Sequence, residues 1–198
     1  YFNQPSITKW NLARFAECLV PLIDQDKDKS IDIATKTINT FENNYEIKWI
    51  NMMRDKLGFF GEDPKDQVLI LDLLTWMHQN KADYTNTFCF LMNEKVENNK
   101  IYKDENFLIW KKRWHDRLTL NNGKPEKCLN LMRSVNPLVV PRNHKVEEVL
   151  TAANNNDLIL FKKLIKVLEK PYENQKDISD YQLPATLNDQ KYQTFCGT

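Results

Sequence analysis

Apolar residues recur along most of this chain at spacings of three and four, the period that gathers side chains on one face of an α-helix. In residues 5–23 that face holds Leu12, Phe15, Ala16, Leu19, Leu22 and Ile23; Pro5 suits a helix start, and Pro21 marks a last turn or a kink. Residues 33–57 carry Thr37, Ile38, Phe41, Tyr45, Trp49, Met52, Met53 and Leu57 in one helical register, with Gly58 placed to end it. Asp63 and Pro64 then read as a cap and first helical residue, and the helix they open would bury Val68, Leu71, Leu74 and Met77. Asp83 predicts a helix over 84–97 with Phe88, Leu91 and Met92 inward. Asp104 predicts another, with Phe107, Trp110, Trp114 and Leu118 as its core stripe and Lys111, Lys112, Arg113 and Arg117 on a solvated face. A short helix starts at Pro125 and runs through Cys128, Leu129 and Met132; Pro137 and Pro141 frame an extended connector over 135–142. Asn143 caps a helix to 153, and Asp157 caps one bearing Leu160, Phe161, Leu164, Ile165 and Leu168, which Pro171 stops. The expected fold is all-α, with seven or eight helices over residues 1–170 and an extended tail over 171–198.

Composition narrows the chemistry. Glycine occupies only four of 198 positions, Gly58, Gly61, Gly123 and Gly197, where about 7% is usual. Phosphate-cradling loops need clustered glycines, and neither GxGxxG nor GxxxxGK[ST] occurs. With 28 Lys+Arg against 27 Asp+Glu, the net charge of +1 gives no general pull toward nucleic acid or anionic membrane. No apolar run approaches the roughly 20 residues of a bilayer span. The chain opens at Tyr1 rather than Met, as a fragment or processed product would.

The candidate reactive groups are few. Residues 24–30 resemble the opening of a calcium loop, but Lys29 stands where the sharp turn needs Gly and Thr35 where a bidentate Glu should close the shell, so a solvated connector is expected. His115-Asp116-Arg117-Leu118 resembles a kinase catalytic-loop motif only superficially, because it falls mid-helix with no suitably placed Asn after it. Ser occurs at only 6, 30, 134 and 179, without a GxSxG elbow. His78, His115 and His144 have no metal-type spacing, and Cys18, Cys89 and Cys128 sit among apolar neighbours where buried free thiols are ordinary. Cys196 differs: flanked by Phe195 and Gly197 near the end of the chain, it is the redox or disulfide candidate, with an inert terminal thiol as the alternative. Cys196 with His144 as a nucleophilic pair has no local support.

Several runs resemble the selenoprotein O family. They are Asn3-Gln4-Pro5 with Trp10-Asn11-Leu12-Ala13-Arg14, Met53-Arg54-Asp55-Lys56-Leu57-Gly58, Ala82-Asp83-Tyr84-Thr85-Asn86-Thr87-Phe88, and Val135-Asn136-Pro137. Pro141-Arg142-Asn143-His144-Lys145-Val146-Glu147-Glu148 and Thr194-Phe195-Cys196-Gly197-Thr198 complete the set, in family order from end to end. The resemblance implies a kinase-like parent that binds ATP with Mg²⁺ and transfers AMP to Ser, Thr or Tyr hydroxyls of target proteins. Residues 1–170 would be its helical C-terminal lobe, and the catalytic, nucleotide and metal-binding residues would lie upstream, with none in this chain. Cys196 matches a family position that is selenocysteine in some members and implies a disulfide to an upstream cysteine. Cys89 departs from the pattern, which leads one to expect Arg there. Asn at 22 positions suits an AT-rich genome, and Cys in place of selenocysteine at 196 fits bacteria and many simpler eukaryotes, so the expected place is a bacterial cytoplasm, or a mitochondrion if eukaryotic. Two other readings stay open: a stand-alone helical interaction module, and a thiol redox element acting through Cys196.

Overall fold

The computed structural model describes residues 3–93, 99–120, 124–176 and 178–185. Among them it contains helices and turns and no strand: ten α-helices and a 3₁₀ turn at Asn99–Lys103. The chain divides into two compact units, Tyr1–Met53 and Arg54–Thr198, with the division inside the third helix.

The first unit holds α1 (Gln4–Ile23), α2 (Lys27–Asn39) and most of α3 (Phe41–Lys56). Pro5 sits in the first turn of α1 and Pro21 in its last. The expected connector over 24–30 is mostly helix. Asp26 caps α2 by accepting from the Asp28 and Lys29 amides, and the Ser30 hydroxyl donates to the Asp24 carbonyl at 3.1 Å, so the link shrinks to three residues. The single helix expected over 33–57 is broken at Thr40. Its amide and hydroxyl both bond back to the Thr37 carbonyl, at 3.1 and 2.8 Å, while its own carbonyl accepts from Asn44, so one residue closes α2 and opens α3. Thr competes for local backbone groups in this way, and hydrophobic period alone cannot show it.

The second unit begins at the end of α3, where the chain stops in a Schellman arrangement. The Gly58 amide donates to the Asp55 carbonyl and the Phe59 amide to that of Arg54, with Gly58 at φ +76°. A Cβ at Gly58 would also lie 2.9 Å from the Cys128 carbonyl oxygen, so glycine is required here twice over. The helices that follow are α4 (Asp66–Gln79), α5 (Tyr84–Leu91), α6 (Glu105–Leu118), α7 (Pro125–Val135), α8 (Asn143–Asn154), α9 (Ile159–Leu168) and α10 (Ser179–Gln182). α4 packs on α6 and α8 on α9.

The core of this unit is aromatic. Trp76, Phe90, Tyr102, Phe107, Trp110 and Trp114 form a chain of rings, the closest pair being Phe90 and Tyr102 at 4.0 Å between centroids. Each buried indole N–H is spent on the frame: Trp114 donates to the Leu57 carbonyl, Trp110 to Leu69 and Trp76 to the Asp104 carboxylate. The expected core stripe of α6 is therefore correct for Phe107, Trp110 and Trp114.

That of α4 is correct for Met77, with Leu74 half-buried, and otherwise out of phase. Leu69, Ile70, Leu73, Trp76 and Met77 are buried, whereas Val68 and Leu71 are exposed. The helix begins at Asp66 rather than Pro64, and the Asp66 carboxylate is turned inward to Arg117. α5 stops at Leu91, capped by Met92, with Asn93 at φ +62°. The tail is not simply extended where it is described: Ile178 is buried and α10 follows it. Among the described residues, no helix is long and apolar enough to cross a membrane.

Candidate functional site

Two polar clusters lie within the second unit, each built on a carboxylate held by arginine. In the first, Asp66 at the start of α4 is fully enclosed. Arg117 of α6 reaches Oδ1 at 2.6 Å and Oδ2 at 3.1 Å, and Arg54 of α3 reaches Oδ2 at 2.8 Å. The Asp63 amide adds a fourth bond at 3.0 Å. Arg117 also donates to the Phe60 and Gly61 carbonyls and lies over the Phe59 ring. Burial pushes the Asp66 carboxyl upward, but the hydrogen bonds from Arg117, Arg54 and Asp63 outweigh it and hold the group below its ordinary pKa. A cavity of about 320 Å³ opens beside this cluster, lined by Asp63, Lys65, Arg113 and Asp116 among others.

The second cluster joins distant parts of the unit. Asp83 caps α5 through the Asn86 amide and takes a bidentate ion pair from Arg142, at 2.7 and 3.0 Å. Arg142 also donates to the Asn86 side-chain oxygen at 3.2 Å. The amide nitrogen of Asn86 donates in turn to the Gln182 carbonyl, and the Gln182 side chain donates to the Leu138 carbonyl, so α10 is tied to α5 and to the 135–142 connector. Burial raises the Asp83 carboxyl, and the Arg142 and backbone bonds more than reverse it.

A third grouping surrounds Lys56. Its ammonium donates to the Asn136 side-chain oxygen at 3.0 Å and lies over the Phe88 and Tyr84 rings, while Asn136 returns bonds to the Lys56 and Met132 carbonyls. Burial lowers the Lys56 pKa. Cys89, where the resemblance leads one to expect Arg, is buried beside this group with its thiol toward the Pro137 carbonyl, 3.8 Å away.

These clusters brace the unit and have little free chemistry. Asp66 and Asp83 are held anionic and are already engaged by guanidinium groups, so neither is suited to proton transfer at neutral pH or to gripping a cation. Among the described residues no three His, Cys, Asp or Glu side chains come together in a metal-type group.

The residues singled out by sequence fare unevenly. Arg117, expected on a solvated face, is buried against Asp66, and its motif lies within α6. Cys89 and Cys128 are buried as expected, but Cys18 is exposed. Cys196 falls outside the described residues. Sequence reasoning missed both arginine–carboxylate clusters, although Arg54, Asp83 and Arg142 all stand in the runs that carried the family resemblance.

The profile of the family described as protein adenylyltransferase SelO matches residues 1–169, most of the chain. The chain belongs to that family. Among curated proteins it is 54% identical to the protein nucleotidyltransferase YdiU of Pelagibacter ubique, 46% to that of Alcanivorax borkumensis and 41% to that of Clostridium perfringens, in each case along its whole length. It spans only about 40% of those relatives, 41% of the first two and 40% of the third. Both polar clusters lie within the matched segment except for Gln182.

Proposed function

We propose that this chain is the helical C-terminal part of a protein adenylyltransferase whose catalytic and nucleotide-binding motifs lie upstream. The parent would take AMP from ATP, with Mg²⁺, and attach it to Ser, Thr or Tyr of target proteins. In that transfer the hydroxyl oxygen forms a bond to the α-phosphorus, the bond to the β-phosphate breaks, and pyrophosphate leaves with the hydroxyl proton passing to a base. The observation that carries this reading is the family match over residues 1–169 in a chain that spans 41% of its relatives. The glycine-poor sequence, with neither phosphate-loop motif, and the engaged carboxylates agree with it.

The chain's own contribution is positioning. AMP transfer depends mainly on alignment and charge stabilisation at the reacting phosphate. A helical lobe of a kinase-like fold, braced by Asp66 and Asp83, would hold that machinery and shape the surface seen by target proteins. The protein's place would be the bacterial cytoplasm. Cys196, as a thiol able to pair with an upstream cysteine, would tie activity to redox state.

The test is labelling with ATP radioactive at the α-phosphate. The parent is expected to label proteins and the 198-residue chain to label none; labelling by the chain alone overturns the reading. Replacing Cys196→Ser in the parent should abolish an oxidised, faster-migrating form on non-reducing gels, and its persistence removes the redox assignment.

A further inference from the structure

The first unit is short of a core. Only Ser30 and Met53 are fully buried among its described residues, and α1, a 20-residue helix, buries none completely. Trp10, Phe15 and Leu22 on α1 are 60, 61 and 80% exposed. Leu19 and Val20 are half-buried. Trp10 shares the helical face of Ala13, Glu17 and Val20, whereas Phe15 and Leu22 lie on the opposite side of α1. Since single exposed apolar residues are ordinary, it is an apolar groove that argues for a seated partner.

The shape of the surface says more. Between α1 and α2 runs an open cavity of about 520 Å³, lined chiefly by Ala13, Ala16 and Val20 on one side and Ile31, Ala34 and Ile38 on the other. Three of those six are alanines, so the groove has a floor without long side chains. A further helix could approach closely and seat branched or aromatic residues between the two. Glu17 and Lys27 also line it, charges of opposite sign that suit a partner polar at its edges and apolar at its centre.

We infer that this groove seats an amphipathic helix from the part of the parent protein that the 198 residues do not span. The inference rests on the reading of the chain as a C-terminal part of a longer enzyme. It is favoured by length: relatives that match the whole chain have 59% of their own residues outside the match. That is ample to supply the missing layer, and a 53-residue unit cannot build one from three helices with this little burial. The packing adds a residue-level consequence, since Ala16 and Ala34 set how deeply the incoming helix sits.

The test compares the full parent with the 198-residue chain by hydrogen exchange, without nucleotide. Amides of α1 and α2 should exchange roughly tenfold or more slowly in the parent, because covered helices open less often. Ala34→Trp, which fills the groove, should abolish that difference in the parent and leave the helicity of the chain alone unchanged. Should the Trp variant of the parent fail to accumulate, Ala34→Leu makes the same comparison with a smaller plug. Equal exchange in parent and chain overturns the inference, as does protection in the parent that neither variant reduces. So does a chain that sediments as a dimer and becomes monomeric with Ala34→Trp, because the occupant would then be a second copy. A parent that shows the protection but transfers no AMP overturns the proposed function and leaves the groove assignment standing. A parent that transfers AMP with α1 unprotected does the reverse.

Discussion

The two units are built from the same kind of amphipathic helix but finish it differently. In Arg54–Thr198 the apolar faces meet one another: Phe107, Trp110 and Trp114 of α6 are buried with Leu69, Ile70, Leu73 and Trp76 of α4, and the polar atoms among them are paired. In Tyr1–Met53, faces of similar composition remain largely in solvent. Amphipathicity therefore specifies that a helix wants a partner, without specifying that the partner lies in the same stretch of chain. A measured difference in stability between the units would show how much of the helical content of the first its own contacts support.

The largest effects are expected in the second unit. Phe107→Ala should lower its stability by about 3–5 kcal/mol, since a fully enclosed ring leaves a cavity among other rings that cannot collapse. Urea unfolding followed by tryptophan fluorescence measures this, three of the five indoles being the buried ones of this unit. Asp66→Asn should cost about 3–5 kcal/mol as well, by leaving Arg117 buried without its counter-charge. A loss under about 1 kcal/mol would mean that water reaches the cluster in solution and that the unit is less closed than its packing indicates.

Gly58→Ala should cost about 1–3 kcal/mol, from positive φ and from contact with the Cys128 carbonyl together. A neutral result would show that α7 can withdraw from the end of α3.

Acid gives a comparison of its own. Asp66 and Asp83 have depressed carboxyl pKa values in the folded state. Their contribution is thus fully present above the unfolded carboxylate pKa of about 4 and disappears as pH falls through the lower folded values. Exchange of α4–α6 amides should accelerate below about pH 4, and Asp66→Asn should flatten that dependence. Asp24 in the first unit is also depressed, mainly by its Lys29 hydrogen bond, but it is only half-buried and Lys29 is exposed, so added salt should weaken its effect first.

The smallest effect is expected at Phe15. In the chain alone, Phe15→Ala should change stability by about 0.5 kcal/mol or less, although the same substitution at Phe107 is among the worst available. A large loss at Phe15 would erase the contrast between the units.

Much of this was legible in the chain itself. The α6 stripe followed from spacing, because Phe107, Trp110 and Trp114 are too large and too regularly placed to be accommodated on another face. Gly58 was legible as a terminator, since few other residues accept the left-handed turn that ends α3. Asp83 and Asp104 were legible as caps, and both accept the amide three residues on. The errors have a common cause. In α4, Val68 and Leu71 satisfy helical spacing as well as Leu69, Ile70 and Leu73 do, and the choice between them goes with the packing on α6 and the ion pair of Asp66 with Arg117. In α6, Arg117 belongs by composition to a basic face and by position to the buried one. Its partner Asp66, and Arg54, the second arginine on that carboxylate, are 51 and 63 positions away in the sequence.

What the sequence determined by itself is the local and the compositional: helices rather than strands, most of their ends, the lack of glycine-rich phosphate loops, and the family. These depend on residues within a turn or two of one another, or on the mere presence of a residue type. The tertiary structure alone decided which face of α4 turns inward, that Arg54 and Arg117 share one buried carboxylate, that Arg142 binds Asp83 beside the anchor of α10, and that the helices of the first unit leave a groove open. Each of these is a choice between faces of nearly equal hydrophobicity, or a pairing of charges across long stretches of chain. Such choices are made by the shape and charge of whatever packs opposite, which local periodicity does not contain.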